Sequence, residues 1–111
     1  MPVGIKMLGQ LRPADTTAAT LYTKAQDSKV WLDQLFVCNT TAGAIACRVC
    51  VDEDGSTYDE TTALYWDKSV GANDTLVVDL HAYLETDAGS VGVRTDTGDA
   101  LNFTLFGEEL F

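Results

Sequence analysis

Apolar and polar positions alternate along most of this chain in short runs, and the runs are broken by Thr, Asn, Asp and Gly. A period of two places successive side chains on opposite faces, so each run predicts a half-buried β-strand. The runs are Val3–Leu11 with an internal Gly9, Ala18–Thr23, Val30–Asn39, Ala44–Asp52, Ala63–Lys68, Leu76–Leu80, Ser90–Thr95 and Ala100–Phe106. Val30–Asn39 carries the strongest signal, being rich in β-branched and aromatic residues. Leu76–Leu80 reads as a strand buried on both faces, and His81–Gly89 as a mixed loop or a short helical turn. In the last run Leu101, Phe103 and Leu105 share one face and Asn102, Thr104 and Phe106 the other. Thr40-Thr41-Ala42-Gly43 reads as a hairpin loop, which sets Cys38 near Cys47 across two paired strands. Glu53–Thr62 reads as an exposed acidic loop.

Strands at regular spacing with turn chemistry between them predict an all-β chain: an antiparallel β-sandwich of about eight strands, jelly-roll or immunoglobulin-like. The chain has 111 residues, which predicts one domain over residues 1–111 and a core that needs no metal or disulfide staple. Seventeen acidic side chains against seven basic give a net charge of −10. That balance argues against a nucleic-acid partner, since phosphate neutralisation needs clustered Lys and Arg. No apolar run is long enough for a membrane span. Met1-Pro2-Val3-Gly4-Ile5-Lys6 lacks the apolar stretch of a secretory signal.

Three cysteines, Cys38, Cys47 and Cys50, cannot all pair within one chain. They are either buried free thiols, packing as small hydrophobes, or include a bridge to another subunit. On a strand Cys47, Val49 and Val51 face one way and Arg48 and Cys50 the other. With the Cys47 face in the core, Cys50 is expected outward and open to a partner. The same alternation separates the sulfurs of Cys47-x-x-Cys50, so no metal site is expected there.

Other constellations that resemble chemistry lack a required part. Counting from Asp52, a calcium loop of the EF-hand kind needs Gly sixth and Glu twelfth, and Thr57 and Ala63 stand there. His81 is the one histidine, and no nucleophile elbow accompanies it. Glu108-Glu109 and Asp59-Glu60 point apart on a strand and make no acid–base couple. No catalytic residue and no cofactor are expected. Tyr58, Tyr65, Trp66 and Tyr83 could build a sugar-stacking face, because apolar sugar faces pack on rings; Tyr65 and Trp66 lie on opposite sides of one strand, and Tyr58 and Trp66 are the leading candidates. Packing in the core or at a subunit interface is the competing reading of both.

Met7-Leu8-Gly9-Gln10, Leu21-Tyr22-Thr23, Leu35-Phe36-Val37-Cys38-Asn39-Thr40, Tyr65-Trp66-Asp67, Ala72-Asn73-Asp74-Thr75 and Asn102-Phe103-Thr104-Leu105-Phe106-Gly107-Glu108 stand in this order along nearly the whole chain. Together they resemble small β-sandwich structural proteins of tailed bacteriophages. Members of that group often carry a cysteine near the Cys38 position, and Cys47 and Cys50 depart from the pattern. The resemblance implies a non-enzymatic virion protein, made in the host cytoplasm, that decorates, cements or links capsid or neck subunits. Its implied partners are the major capsid protein or other virion proteins and further copies of itself, with no nucleic acid and no membrane. Because virions leave the reducing cytoplasm, it also implies intersubunit disulfides, with Cys50 the leading candidate and Cys38 and Cys47 the others. The alternative is a carbohydrate- or receptor-binding module on a tail fibre or capsid surface.

Overall fold

The computed structural model describes residues 4–110. Eight strands form in chain order: β1 (Lys6–Leu11), β2 (Ala19–Thr23), β3 (Lys29–Asn39), β4 (Ile45–Asp52), β5 (Ala63–Val70), β6 (Thr75–Leu84), β7 (Ser90–Thr95) and β8 (Leu101–Leu110). Every predicted strand is present, Ser90–Thr95 with the expected bounds and the others with one or both ends shifted. Val3, the expected start of the first, lies outside the described residues. Among the described residues no helix is long and apolar enough to cross a membrane.

The strands form two antiparallel four-stranded sheets with orders β1-β8-β3-β6 and β2-β7-β4-β5. Four of the pairings are nested, β1 with β8, β2 with β7, β3 with β6 and β4 with β5. That is the pattern of one long hairpin wrapped around a barrel, and the β3–β8 and β4–β7 pairings close the two sheets. The architecture is therefore the jelly-roll member of the sandwich class. Every connection except β4–β5 crosses from one sheet to the other.

That wrapping corrects three expectations. The Thr40–Gly43 loop is no in-sheet hairpin: β3 and β4 lie in opposite sheets, so Cys38 and Cys47 are not cross-strand neighbours. Strand β6 is an edge strand with one buried face, since Val78 and Leu84 are buried while Val77, Asp79, His81 and Tyr83 are exposed. The segment His81–Leu84 is neither loop nor helical turn. It continues β6 past a bulge where His81 takes a positive φ of 44° and Asp33 interrupts the register of β3.

The core fills the space between the sheets. Val30, Leu32, Leu35 and Val37 of β3 and Leu101, Phe103 and Leu105 of β8 are buried from one side; Cys47 and Val49 of β4 and Val91 and Val93 of β7 meet them from the other. The sets on β4, β7 and β8 keep the period of two, and β3 keeps it on either side of the bulge at Asp33, where the spacing from Leu32 to Leu35 is three. The ends of the sandwich are closed by polar groups with complete hydrogen bonding. Asn39, fully buried, donates from Nδ2 to the carbonyls of Gly43, Val70 and Gly71 at 2.8, 3.0 and 3.1 Å and accepts from the Thr41 amide at 2.9 Å. The Lys24 ammonium, also buried, donates to the Ala25 and Ser28 carbonyls and to Asp87 Oδ1, tying the β2–β3 turn to the β6–β7 loop. At one mouth Glu109 accepts from Lys6 and from the Tyr22 hydroxyl, both at 2.6 Å, which links β8 to β1 and to β2 of the other sheet.

Candidate functional site

The two outer faces of the sandwich differ in what covers them. Over β2-β7-β4-β5 the chain covers itself. The β4–β5 segment, residues 53–62, is largely exposed, as an acidic loop should be, and it folds back across the sheet with Tyr58 half-buried beneath it. The Asp52 carboxylate holds its start, accepting from the Thr57 and Asp54 amides at 2.8 and 3.2 Å, and these bonds keep its pKa below the ordinary carboxylate range. The Val51 amide donates to the Thr62 carbonyl and fixes its end. Between them Tyr58 lies flat on Gly92, where any Cβ would overlap the ring. Its hydroxyl has one proton and donates it to Ser90 Oγ at 2.8 Å. It therefore accepts from Thr20 Oγ1, also at 2.8 Å, and Ser90 passes its own proton to the Gly55 carbonyl.

Cys50 sits beneath this strap. It is on the outer face, as alternation requires, but only 3% exposed, with its sulfur directed to the Asp59 carbonyl at 3.8 Å. The expectation that Cys50 is open to a partner is corrected: tertiary covering overrides the strand's polarity. Burial pushes its thiol pKa up. Cys47 lies in the core, and burial raises its thiol to about 11. All three cysteines are free, and Cys38 alone is partly accessible.

Beside the strap stands a charged cluster that sequence reading did not single out. Between the pairs Cys47–Lys68 and Val49–Tyr65 the β5 edge has two residues opposite one, so both Trp66 and Asp67 face Arg48. Asp67 takes the left-handed φ of 53° that such a bulge requires. The result is a guanidinium held twice. Arg48 donates from Nε and Nη2 to the two Asp67 oxygens at 2.7 and 3.1 Å, and its Cζ stands 3.6 Å from the Trp66 ring centroid. Arg94 is the register partner of Arg48 on β7, a like-charge pairing that Asp67 offsets by lying 3.8 Å from Arg94 as well. Arg48 lowers the Asp67 pKa, chiefly through the hydrogen bond.

The two sugar-stacking candidates therefore fall on the same face, on either side of Arg48. They do not form a pair of free platforms. Tyr58 uses its ring against Gly92 and its hydroxyl in the relay, and Trp66 has one ring face taken by Arg48. Arg48, Arg94, Tyr58 and Cys50 line a shallow hollow with Ala18 and Val93.

Over β1-β8-β3-β6 no segment among the described residues folds back. Outward positions run in rows across the strands: Val77, Phe36, Thr104 and Gln10 in one, Asp79, Gln34, Phe106 and Met7 in the next, then Tyr83, Trp31 and Glu108. Phe36 and Phe106 meet edge to face with centroids 5.7 Å apart, and Trp31 and Tyr83 stand at 6.3 Å. Cys38 lies on this face beside Thr75 and Asn102. His81, exposed, has Asp33 at 3.9 Å as its acidic neighbour. Glu108 faces outward and Glu109 turns to the sandwich mouth, so the adjacent pair diverges as expected. Among the described residues no three His, Cys, Asp or Glu side chains converge in a way that could hold a metal ion.

No protein-family model matches this sequence, and no curated protein matches it. Solved structures do resemble it in fold. A chain in the structure of infectious bursal disease virus, Gx strain, superimposes with a TM-score of 0.55 at 13% identity over 97% of the present chain. A chain in the Gt strain structure gives 0.48 at 12% identity over 96%. The present chain spans about a third of the length of either one, 32% in both cases. At this identity the likeness is one of fold.

Proposed function

We propose that this chain is a non-enzymatic structural component of a virus particle, one that decorates or links capsid or neck subunits. The observation that carries the reading is the jelly-roll strand order, which extends over the whole described chain and superimposes on a chain of a virus structure. Jelly rolls recur in viral capsid domains because closed double sheets are stable with few free edges. The resemblance to tailed-phage sandwich proteins supplies the finer part of the proposal, a phage virion as its location. The net charge of −10 keeps such a subunit soluble before assembly. Covalent linkage, where it occurs, uses Cys38, since Cys47 and Cys50 are buried. The test is mass spectrometry of purified particles from the source of the sequence, with gels run reduced and non-reduced. Recovery of this chain at stoichiometric copy number supports the reading, and its absence from particles refutes it.

A second reading, a carbohydrate-binding module, is favoured by one observation. Trp66 remains exposed at a sheet edge beside the Arg48–Asp67 pair, so a ring face and polar groups stand together. Glycan-array binding lost on Trp66→Ala would support it, and an array without signal would exclude it.

A further inference from the structure

We propose that the outer face of the β1-β8-β3-β6 sheet is the surface through which two copies of this chain pair. The proposal assigns a face to the self-association expected of a virion subunit, and its test does not depend on the particle.

Met7 on β1, Phe106 on β8, Phe36 on β3 and Val77 on β6 are outward neighbours along two adjacent rows, so apolar side chains cross all four strands. Trp31 and Tyr83 extend the patch along the sheet. Met7 is 50% exposed, Val77 43%, Tyr83 42% and Trp31 40%. Contiguous apolar surface of this kind on a small domain marks an interface, whereas singly scattered residues do not. The Phe36–Phe106 pair stands on the two central strands, where the anchor of an interface belongs.

Area gives the scale. Four strands spaced about 4.8 Å apart, with about eight residues of overlap at 3.3 Å each, make a footprint of about 500 Å². Two such faces together bury about 1,000 Å², the lower bound of a specific interface and the size of a weak, reversible association.

Charge selects the occupant. The face carries Arg12 and Lys29 against Asp33, Asp79 and Glu108, a net of −1. The remaining surface therefore holds −9 of the −10 total. Summed over the rest of its surface a second copy meets like charge, and it meets nearly none here, while a basic partner gains least from this face. The opposite outer face is closed by its own strap and by the Arg48–Asp67–Arg94 cluster. A two-fold pairing uses the same patch on both copies, so a patch centred on its sheet suits it.

The test is sedimentation velocity across the micromolar range with the full chain. Wild type is expected to rise with concentration from the 12.0 kDa chain mass to twice that value. Val77→Glu and Trp31→Glu, at exposed positions, place two new carboxylates in the paired face and are expected to weaken association at least about tenfold. Leu64→Glu, on the edge strand of the other sheet, is expected to leave it unchanged. A second readout needs no substitution. Cys38 lies within the face, so its reaction with a thiol reagent slows as protein concentration rises. A wild type that stays at monomer mass, Cys38 labelling independent of concentration, or disruption by Leu64→Glu and not by Val77→Glu would overturn the proposal. A monomeric result would leave the virion reading standing, because that reading is tested on particles.

Discussion

Replacing Gly92 by alanine tests whether the 53–62 strap is a packed part of the fold. The added Cβ overlaps the Tyr58 ring, and the neighbouring backbone belongs to β7, which is paired on both sides. The ring must therefore leave. With it go the bonds from Tyr58 to Ser90 and Thr20, about 1 kcal/mol each, and the packing of a half-buried ring. A total of about 2–3 kcal/mol is expected, in line with overpacked sites in general. For a domain of this size that lowers Tm by about 8–15 °C. Cys50 gives a local readout because the strap lies over its sulfur, with the Asp59 carbonyl at 3.8 Å. In a Cys38→Ser background, labelling of Cys50 through local opening should accelerate on the order of 30- to 150-fold, the same free energy expressed as a rate. Tyr58→Phe serves as the control: it keeps the ring, loses the relay and should cost about 1–2 kcal/mol while Cys50 stays covered. Native Tm with unchanged Cys50 labelling in Gly92→Ala would refute the reasoning.

Three further outcomes follow from the polar groups at the sandwich ends. Asn39→Ala leaves the carbonyls of Gly43, Val70 and Gly71 without their shared donor and should cost about 2–4 kcal/mol in denaturant unfolding; a change below about 1 kcal/mol would contradict the network. At the Lys24–Asp87 pair, Asp87→Ala should destabilise more than Lys24→Met, because the first strands a buried ammonium and the second removes it; the reverse order in thermal unfolding would show that the ammonium is not held by Asp87. Asp52, Asp59, Asp67, Asp87 and Glu109 all have pKa values held below the ordinary carboxylate range, by amide and hydroxyl donors, Arg48, Lys24 and Lys6. The unfolded chain therefore binds more protons than the folded one as these groups titrate, so their stabilisation is complete above about pH 5 and is lost as pH falls below about 4. A Tm that stays level down to about pH 3 would be inconsistent with these pairings.

Much of the fold was present in the order of residues. Alternation in Ala100–Phe106 marks the inner face of β8, since a strand between two paired neighbours has one side in the core and a period of two reports it directly; in Val30–Asn39 it holds only on either side of the Asp33 bulge, which brings Leu35 and Val37 to the same face as Val30 and Leu32. Strand number and all-β class followed from the same signal, as did the divergence of Glu108 and Glu109. Strand partners did not, because pairing is a long-range choice and the Thr40–Gly43 turn has the chemistry of either an in-sheet hairpin or a crossover. The correct choice separates Cys38 from Cys47 and turns Leu76–Leu80 into an edge. Periodicity likewise placed Cys50 on the outer face, and only the returning strap, fitted to a glycine forty-two positions further on, buried it. The Arg48–Asp67–Trp66 cluster depends on an extra residue in β5, and a bulge shifts facing without leaving a mark in composition. Sequence by itself determined which side chains face inward within each unbroken run; bulges and the wrapping of the sheets determined the rest, including which outward faces are covered, because covering requires segments distant in the chain to meet.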